Sequence, residues 1–329
     1  MTLKKQPTIL FVSTVHSPFV ENDLSFLAKH FPVVPRIGSG ILQILKIFID
    51  IMQAELIVCW FASVYSAFAV LLGKRLGVKS IIIIGGADLA AEKDLGYGLW
   101  LSKWKSAFVK RALRKADVVL TVDESLREEA KLRAEYSGNN IHYLPTGYDS
   151  QIWKPTGEKK NTVLTVAAAS DKARFGIKGI DFLITVAQRM PAIDFIVIGV
   201  DPEFAYRSRP SLNIKFYAAL PHDQLLRYYQ ESKVYCQPSR REGLSNALCE
   251  AMLCGCIPVA TNVGGNPTAI GDTGFLVPYN DVDSLVKALK QALDADIELS
   301  AKARARIVAL FPKEKREREL LKIIEQLSE

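Results

Sequence analysis

Short apolar runs alternate with amphipathic segments along the whole chain of 329 residues. In the first half, the apolar runs predict strands near residues 8–13, 56–60, 79–84, 117–122 and 141–144. The segments between them predict helices near residues 21–30, 40–53, 63–76, 98–115 and 124–134. Because strand, helix and strand follow one another repeatedly, we expect an α/β protein with an open, doubly wound parallel sheet. Its ligand crevice is expected at the carboxyl ends of the strands.

The same alternation starts again after residues 144–161, a segment with Pro145, Gly147, Pro155, Gly157 and several lysines. Such a composition is typical of a linker. The second half then predicts strands in TVLTVAAAS, DFIVIGV, IKFYAAL and KVYCQPS, and helices in GIDFLITVAQRM and HDQLLRYYQES. We therefore predict domains at residues 1–150 and 151–311, followed by a charged amphipathic helix at 312–329.

Two segments raise the question of membrane insertion. The N-terminus has a basic start, but its apolar core of about five residues is too short for a signal peptide, so we expect a buried strand there. The run from Leu56 to Gly73 has no charge and is just long enough to be considered as a membrane span. Its strand-like start, LIVCWF, and the helix that follows favour a buried strand and helix instead.

Composition and charge narrow the function only slightly. A chain with 49% hydrophobic residues can bury one large core or two ordinary ones. The net charge of +7 and the pI near 9.0 suit an acidic partner, such as a nucleotide, an anionic lipid surface or a nucleic acid. Five cysteines without a CxxC pair indicate reduced intracellular thiols, and four scattered histidines add no metal site.

Residues 239–265, SRREGLSNALCEAMLCGCIPVATNVGG, contain the strongest chemical pattern of the chain. Glu242 and Glu250 lie eight positions apart, and either Ser245 or Asn246 can cap a helix that begins between them. This places Glu242 in the loop before the helix and Glu250 about one turn inside it. Loop N–H groups and the positive helix end attract phosphate, while carboxylates accept hydrogen bonds from sugar hydroxyls. The bare spacing of the two glutamates is also common among solvated helix charges.

A second chemical element is the loop SDKARFGIKGID at residues 170–181, directly after a predicted strand. It brings Lys172, Arg174 and Lys178 together within seven positions, interleaved with glycine. Cations held at such a place stabilise a diphosphate leaving group, whose negative charge grows as its bond to a sugar breaks. The alternative interpretation is a solvated basic turn.

The string EGLSNALCEAMLCGCIPVATNVGG, followed by GDTGFLVPYND, resembles the C-terminal half of retaining glycosyltransferase family 4, the glycosyl transferases group 1. The resemblance covers most of residues 160–290 and, more loosely, the N-terminal half. It implies a GT-B fold, in which two Rossmann-like domains face each other across a cleft, and a terminal helix that crosses back to the first domain. It also implies a donor site for a nucleoside-diphosphate sugar and transfer with retention at the anomeric carbon.

The resemblance also assigns roles to individual residues. It puts Glu242 near the transferred sugar and Glu250 on the ribose, and Lys178, in KGID, matches the family's phosphate-binding lysine. Arg174 is the best substitute for an arginine that the family places where this chain has AAAS. The remaining donor-site candidates are Lys172, Gly243, Leu244, Ser245, Asn246 and Gly265. The resemblance implies catalysis without a divalent metal, and this chain offers no DxD triplet that would suggest one, so we expect no cofactor and a UDP-, GDP- or ADP-sugar as the donor.

The first domain departs from the family's pattern. Members commonly carry a histidine in the loop after the strand that faces the donor, whereas this chain has IIIIGGADLAAEKD, with Gly86 and Asp88. Asp88 either orients an acceptor hydroxyl or the donor sugar, or caps a helix after Gly86. The glycine-rich loop expected near the donor phosphates is replaced by STVHSPFVEND, which makes His16 and Ser17 further candidates.

Two segments bear on the acceptor. Residues 98–116 combine Trp100, Trp104 and Phe108 with six lysines and arginines and no acidic residue, as expected for a helix on an anionic bilayer. The alternative is a helix that packs its aromatic rings on the sheet. Residues 40–53 are more apolar still, and we expect them to be buried or at an interface. The basic residues do not coincide with a known nucleic-acid reader motif, so we expect no nucleic acid as a partner. We predict a cytoplasmic protein, or one peripheral to the inner face of the membrane.

Three functions fit these observations. The first is a retaining glycosyltransferase that moves a sugar from a nucleoside-diphosphate sugar to a saccharide or lipid-linked acceptor in glycan biosynthesis. The second is a sugar-nucleotide epimerase of the same fold, for which the first-domain loops carry few carboxylates and histidines. The third is a non-catalytic sugar-nucleotide-binding subunit, which the missing histidine favours. The base, the sugar and the acceptor stay open.

Overall fold

The computed structural model describes residues 6–208 and 210–328, so the basic start at residues 1–5 lies outside the described part. The chain divides into two compact units, residues 1–146 with 314–329 and residues 147–313. Each unit is built on one six-stranded parallel sheet, with the orders β2-β1-β3-β4-β5-β6 and β12-β11-β10-β7-β8-β9. The α/β prediction with two doubly wound parallel sheets is confirmed.

The first unit alternates strands and helices from its start. Its strands are β1 (Ile9–Ser13), β2 (Val33–Ile37), β3 (Leu56–Trp60), β4 (Lys79–Ile84), β5 (Val118–Thr121) and β6 (Ile141–Tyr143). Its helices are α1 (Pro18–His30), α2 (Ile41–Ile51), α3 (Val64–Arg75), α4 (Lys103–Lys115) and α5 (Glu124–Ala134), with short 3-10 turns at Ala87–Leu89 and Leu99–Leu101. The central strands are mainly apolar because helices cover both faces of a parallel sheet.

The second unit has more elements than the sequence patterns indicate. Its strands are β7 (Lys160–Ala169), β8 (Asp194–Val200), β9 (Ile214–Tyr217), β10 (Ser232–Gln237), β11 (Ile257–Thr261) and β12 (Phe275–Val277). Its helices are α6 (Lys172–Ile177), α7 (Ile180–Gln188), α8 (Pro202–Tyr206), α9 (His222–Glu231), α10 (Asn246–Leu253), α11 (Asn266–Ile270), α12 (Val282–Asp294) and α13 (Ile297–Leu310). A last helix, α14 (Lys313–Leu327), follows them, and its residues from Glu314 onward group with the first unit.

Several predicted elements need correction. Strand β2 was missed because its sequence VVPRI is short and contains Pro35, which a strand tolerates at the edge of a sheet. The helix predicted at 98–115 begins only at Lys103, because Gly98 adopts a φ of +127° and a 3-10 turn follows it. The basic loop at 170–181 contains the short helix α6, which Asp171 caps by accepting a hydrogen bond from the Arg174 N–H.

The uncharged run from Leu56 to Gly73 forms strand β3 and most of helix α3, as predicted. Ser63 starts the helix, since its side chain accepts a hydrogen bond from the backbone N–H of Ser66 at 3.1 Å. Across residues 6–208 and 210–328, none of the helices combines the length and the apolar character that a membrane crossing requires.

A buried ion pair attaches helix α14 to the first unit. Arg316 donates from Nε and Nη2 to the two carboxylate oxygens of Asp23, at 2.8 and 2.6 Å. Its Nη1 donates to the carbonyl oxygens of Leu144 and Pro145, and its guanidinium carbon lies 5.4 Å from the centre of the Trp60 ring. Because Arg316 and Asp23 are buried and each guanidinium nitrogen has an acceptor, polar contacts as well as packing fix the terminal helix to the first unit.

We predict that Arg316→Met destabilises the first unit by about 3–5 kcal/mol, because it leaves the buried Asp23 carboxylate without its cation. Chemical denaturation of the purified protein measures this loss. Arg318→Met is the matched control on the same helix, since the Arg318 side chain is 68% exposed, and it should change stability by less than about 0.5 kcal/mol. Equal losses for the two variants would contradict the role of the ion pair.

Candidate active site

The loop at 238–245 and helix α10 carry the two predicted glutamates. Ser245 is the N-cap residue of α10, and its hydroxyl accepts a hydrogen bond from the backbone N–H of Leu248 at 3.4 Å. Glu242 lies in the loop before this N-terminus, and Glu250 lies within the helix. The local structure predicted from the sequence is therefore present at this place.

Glu242 and Lys178 form an ion pair between segments far apart in sequence. The Lys178 ammonium donates to Oε1 of Glu242 at 2.6 Å. The same oxygen accepts hydrogen bonds from Gln237 Nε2 at 2.9 Å and from the Ser239 hydroxyl at 2.7 Å. The Glu242 side chain is 9% exposed and the Lys178 side chain 26%. The structure thus combines a fixed carboxylate and a partly accessible cation, both predicted as site residues.

Gln237 is a residue of this site that the sequence patterns did not reveal. Its side chain is buried and uses all its hydrogen-bonding capacity. Oε1 accepts from the Tyr235 and Ser245 hydroxyls at 2.9 and 3.0 Å, while Nε2 donates to Ser239 and Glu242. Gln237 therefore orients the Glu242 carboxylate. An amide side chain at the end of the apolar strand KVYCQ was the available signal.

Two glycines hold the Glu242 loop between neighbouring segments. Gly179 has a φ of +66°, and a Cβ atom there would lie 2.0 Å from the carbonyl oxygen of Pro238. Gly264 has a φ of +52°, and a Cβ atom there would lie 2.0 Å from the carbonyl oxygen of Glu242. Only glycine permits these approaches. Main-chain hydrogen bonds join the same segments, from the Arg240 N–H to Ile177 and from the Gly265 N–H to Gly243, both at 2.8 Å.

The second glutamate, Glu250, lies in a separate polar cluster. It accepts a hydrogen bond from the Tyr229 hydroxyl at 3.2 Å, and His222 Nε2 lies 3.3 Å from its other oxygen. The ring of Trp153 packs against the rings of His222 and Tyr229. Burial raises the pKa of Glu250, whereas His222 lowers it, and the hydrogen bond to Glu250 raises the pKa of His222. Glu250 is therefore an acceptor whose partners keep it in place at the edge of the protein interior.

The remaining donor-site candidates occupy different environments. Lys172 and Arg174 are exposed on α6, and Arg174 Nε lies 3.7 Å from Asp171. Of the three predicted cations, Lys178 is the one that contacts Glu242. Leu244 is buried, and Asn246 accepts a hydrogen bond from the Tyr148 hydroxyl at 2.8 Å. Within the basic loop at 170–181, the last lysine, Lys178, therefore makes the contact with Glu242.

In the first unit, Asp88 stabilises the backbone around it. Its carboxylate accepts hydrogen bonds from the Ala62 N–H at 2.9 Å and from the Gly86 N–H at 2.8 Å. Burial raises the pKa of Asp88 to about 6, although the backbone hydrogen bonds act in the opposite direction. Gly86, with a φ of +113°, precedes the 3-10 turn that contains Asp88. The carboxylate therefore fixes the loop after β4 through backbone hydrogen bonds.

The two other first-unit candidates lie at the start of α1. His16 has a side chain that is 75% exposed, and its Nε2 lies 2.9 Å from Glu21. Ser17 is at the N-cap position of α1, but its hydroxyl is buried and finds no hydrogen-bond partner in the described part of the chain. Within that part, no group of three or more His, Cys, Asp or Glu side chains is arranged to hold a metal ion.

Solved structures share this fold over nearly the whole chain. Sucrose-phosphate synthase from Thermosynechococcus elongatus matches with a TM-score of 0.77 and 17% identity, covering 98% of this chain and 99% of that one. Anabaena HepE in complex with UDP-glucose matches with a TM-score of 0.75 and 14% identity, covering 98% and 100%. The predicted GT-B fold is confirmed by these glycosyltransferase structures.

Sequence comparisons relate part of the chain to known glycosyltransferases. The GPI3 subunit of phosphatidylinositol N-acetylglucosaminyltransferase from Saccharomyces cerevisiae is 24% identical over 60% of this chain and 48% of its own length. The MMP alpha-(1->4)-mannosyltransferase of Mycolicibacterium hassiacum is 26% identical over 58% of this chain and 48% of its own length. The matched regions thus span about half the length of these relatives. The model of the family described as glycosyl transferases group 1 matches residues 160–295, which contain Lys178, Glu242 and Glu250. Residues 160–295 are therefore similar to the glycosyl transferases group 1 family.

Proposed function

We propose that the protein is a retaining glycosyltransferase that moves a sugar from a nucleoside-diphosphate sugar to a saccharide or lipid-linked acceptor in glycan biosynthesis. The observation that carries this proposal is the ion pair of Lys178 and Glu242, held beside the N-terminus of α10. A cation, the positive end of a helix and a fixed carboxylate suit a ligand that combines diphosphate with sugar hydroxyls. The family-model match over residues 160–295 and the activities for which the relatives are named support the same reaction class.

In this proposal, Lys178 and the α10 N-terminus bind the diphosphate. Negative charge grows on the diphosphate as the bond between the anomeric carbon and the phosphate oxygen breaks, so these groups stabilise the transition state more than the bound donor. The acceptor oxygen forms its bond to the anomeric carbon on the face that the diphosphate leaves. The acceptor's proton passes to the departing phosphate, which balances the reaction without a divalent metal.

The two glutamates have different tasks in this proposal. Glu242, with Oε1 fixed by Lys178 and Gln237, lies beside the transferred sugar. Its negative charge stabilises the positive charge that develops in an oxocarbenium-like transition state. Glu250, held by His222 and Tyr229, accepts hydrogen bonds from the ribose hydroxyls. Arg174 and Lys172, exposed on α6, add cationic potential near the diphosphate.

We also infer that the protein works at the cytoplasmic face of a membrane. Helix α4 has no acidic residue, and its Trp104 side chain is 62% exposed beside Lys105. Trp100, by contrast, lies in the 3-10 turn before α4, is half-buried, and donates from its indole N–H to the carbonyl oxygen of Asp88. An exposed tryptophan among lysines is typical of contact with anionic lipid headgroups. A lipid-linked acceptor would be reached from such a position.

We predict that Glu242→Gln lowers kcat for transfer by about 100-fold or more, because it removes the charge beside the reacting sugar and leaves Lys178 unpaired. The assay follows release of UDP, GDP or ADP from the matching nucleotide sugars, with and without acceptor. Glu203→Gln is the matched control, since the Glu203 side chain is 82% exposed, and it should leave kcat unchanged.

Two outcomes of this assay would overturn the proposed function. Interconversion of the sugar without nucleotide release would make the protein an epimerase. Nucleotide-sugar binding without turnover for every donor and acceptor tried would make it a binding subunit.

We predict that Glu250→Ala reduces the thermal stabilisation by UDP, GDP or ADP, because the ribose loses a hydrogen-bond acceptor that His222 and Tyr229 hold in place. At about 100 times the dissociation constant, a nucleotide stabilises the folded protein by about 2.7 kcal/mol. Each shift is measured against the ligand-free form of the same variant, with Glu203→Ala as the control. A shift that survives Glu250→Ala unchanged would contradict the ribose role.

A further inference from the structure

Helix α2 leaves one large apolar face exposed. Five of its apolar side chains, and that of Met52 directly after the helix, are from 50% to 70% exposed: Ile41, Leu42, Leu45, Phe48, Ile49 and Met52. At 100° per residue, these positions fall within an arc of about 120° on the helix surface. Ile47 and Ile51 lie on the other side and are buried against the first sheet. The helix is therefore apolar towards the protein and towards solvent at once.

This face is a continuous patch, and a patch of this kind marks an interaction surface in a folded protein. From the sequence, residues 40–53 are expected to be buried or at an interface. Polar groups border the patch, namely exposed Lys46 and the ion pair of Arg36 with Asp50. The solvent-facing side of the helix thus has an apolar stripe with a polar border, as in helices that lie along a lipid interface.

The neighbouring helices supply positive charge on the same side of the first sheet. Helix α2 packs against α3, and α3 packs against α4. Exposed cationic side chains of α4 include Lys103, Lys105, Arg111 and Lys115, and exposed Trp104 lies among them. Lys110 and Arg114, in contrast, contact Glu135 and are partly neutralised. One layer of helices thus presents an apolar stripe and a cationic, tryptophan-bearing surface.

We propose that α2 lies in the interface of an anionic lipid bilayer, with its exposed apolar face inserted among the acyl chains and α4 attracting the headgroups. Apolar insertion and headgroup attraction together give firmer membrane binding than either alone. A second copy of the chain is a poorer occupant, because a dimer formed across α2 would bring two cationic α4 surfaces towards each other. An anionic bilayer offers acyl chains to the apolar face of α2 and anionic headgroups to the cationic side chains of α4.

The insertion of α2 adds a second contact to the membrane contact that the proposed function assigns to α4, and the inference rests on that proposed membrane location. Because membrane binding is measured without nucleotide sugar or acceptor, it is independent of turnover. A failure of membrane binding would leave the transfer reaction untouched, and a failure of transfer would leave this surface untouched.

The test is sedimentation of the full chain with phosphatidylcholine vesicles containing about 30% phosphatidylglycerol, an anionic lipid. The variant Leu45→Gln with Phe48→Gln should bind at least about tenfold more weakly, because it removes two inserted side chains. Ile297→Gln is the matched control, since Ile297 is an apolar side chain of the second unit that is 84% exposed, and it should bind as the wild type does. All three substituted side chains are at least half exposed, so thermal unfolding near the wild-type temperature checks the fold.

A second arm tests the charge. Lys103→Gln with Lys105→Gln should weaken binding at low salt and reduce its salt dependence, whereas the loss caused by the α2 variant should persist at high salt. A tryptophan introduced as Phe48→Trp should shift its fluorescence to the blue when anionic vesicles are added.

Three results would overturn the inference. They are equal binding by the α2 variant and the wild type, equal binding to vesicles of phosphatidylcholine alone, and a wild-type dimer that the α2 variant converts to a monomer without any vesicle binding. The last result would assign the face to a second copy of the chain.

Discussion

The backbone contact on both sides of the Glu242 loop is the constraint on which the candidate site depends. Gly179 and Gly264 approach the carbonyl oxygens of Pro238 and Glu242 so closely that any side chain would push the segments apart. This contact sets Lys178, next to Gly179, within hydrogen-bond distance of Glu242. Without it, Lys178 and Glu242, which lie 64 positions apart in the sequence, would not come within hydrogen-bond distance.

Much of the fold and part of the site were predictable from the sequence. Buried parallel strands have nearly continuous apolar runs, so β1, β3 and β4 could be identified directly. The edge strand β2 could not, because it is half-exposed and interrupted by Pro35. In the site, Glu242, Glu250 and Lys178 follow from motifs, while Gln237 and His222 act through neighbours that only the folded chain brings together.

Buried polar side chains in the first unit have structural tasks. Both carboxylate oxygens of Asp88 accept hydrogen bonds from backbone N–H groups. The guanidinium of Arg316 donates to Asp23 and to two carbonyl oxygens. Helix α2 represents the opposite case, because its sequence is as apolar as a core helix and yet half of it faces solvent. Apolar periodicity predicts that a helix face is buried against another surface. Only the fold shows whether that surface belongs to the same protein.

The central claim is that Lys178 and Glu242 form the diphosphate and sugar end of a donor site, with Glu250 at the ribose end. A crystal structure of the protein with bound UDP-sugar, or with the nucleotide sugar that binds most tightly, tests it most directly. We expect a diphosphate oxygen within hydrogen-bond distance of Lys178 Nζ and the ribose hydroxyls on Glu250. A diphosphate bound away from Lys178, with the ribose away from Glu250, would contradict the account.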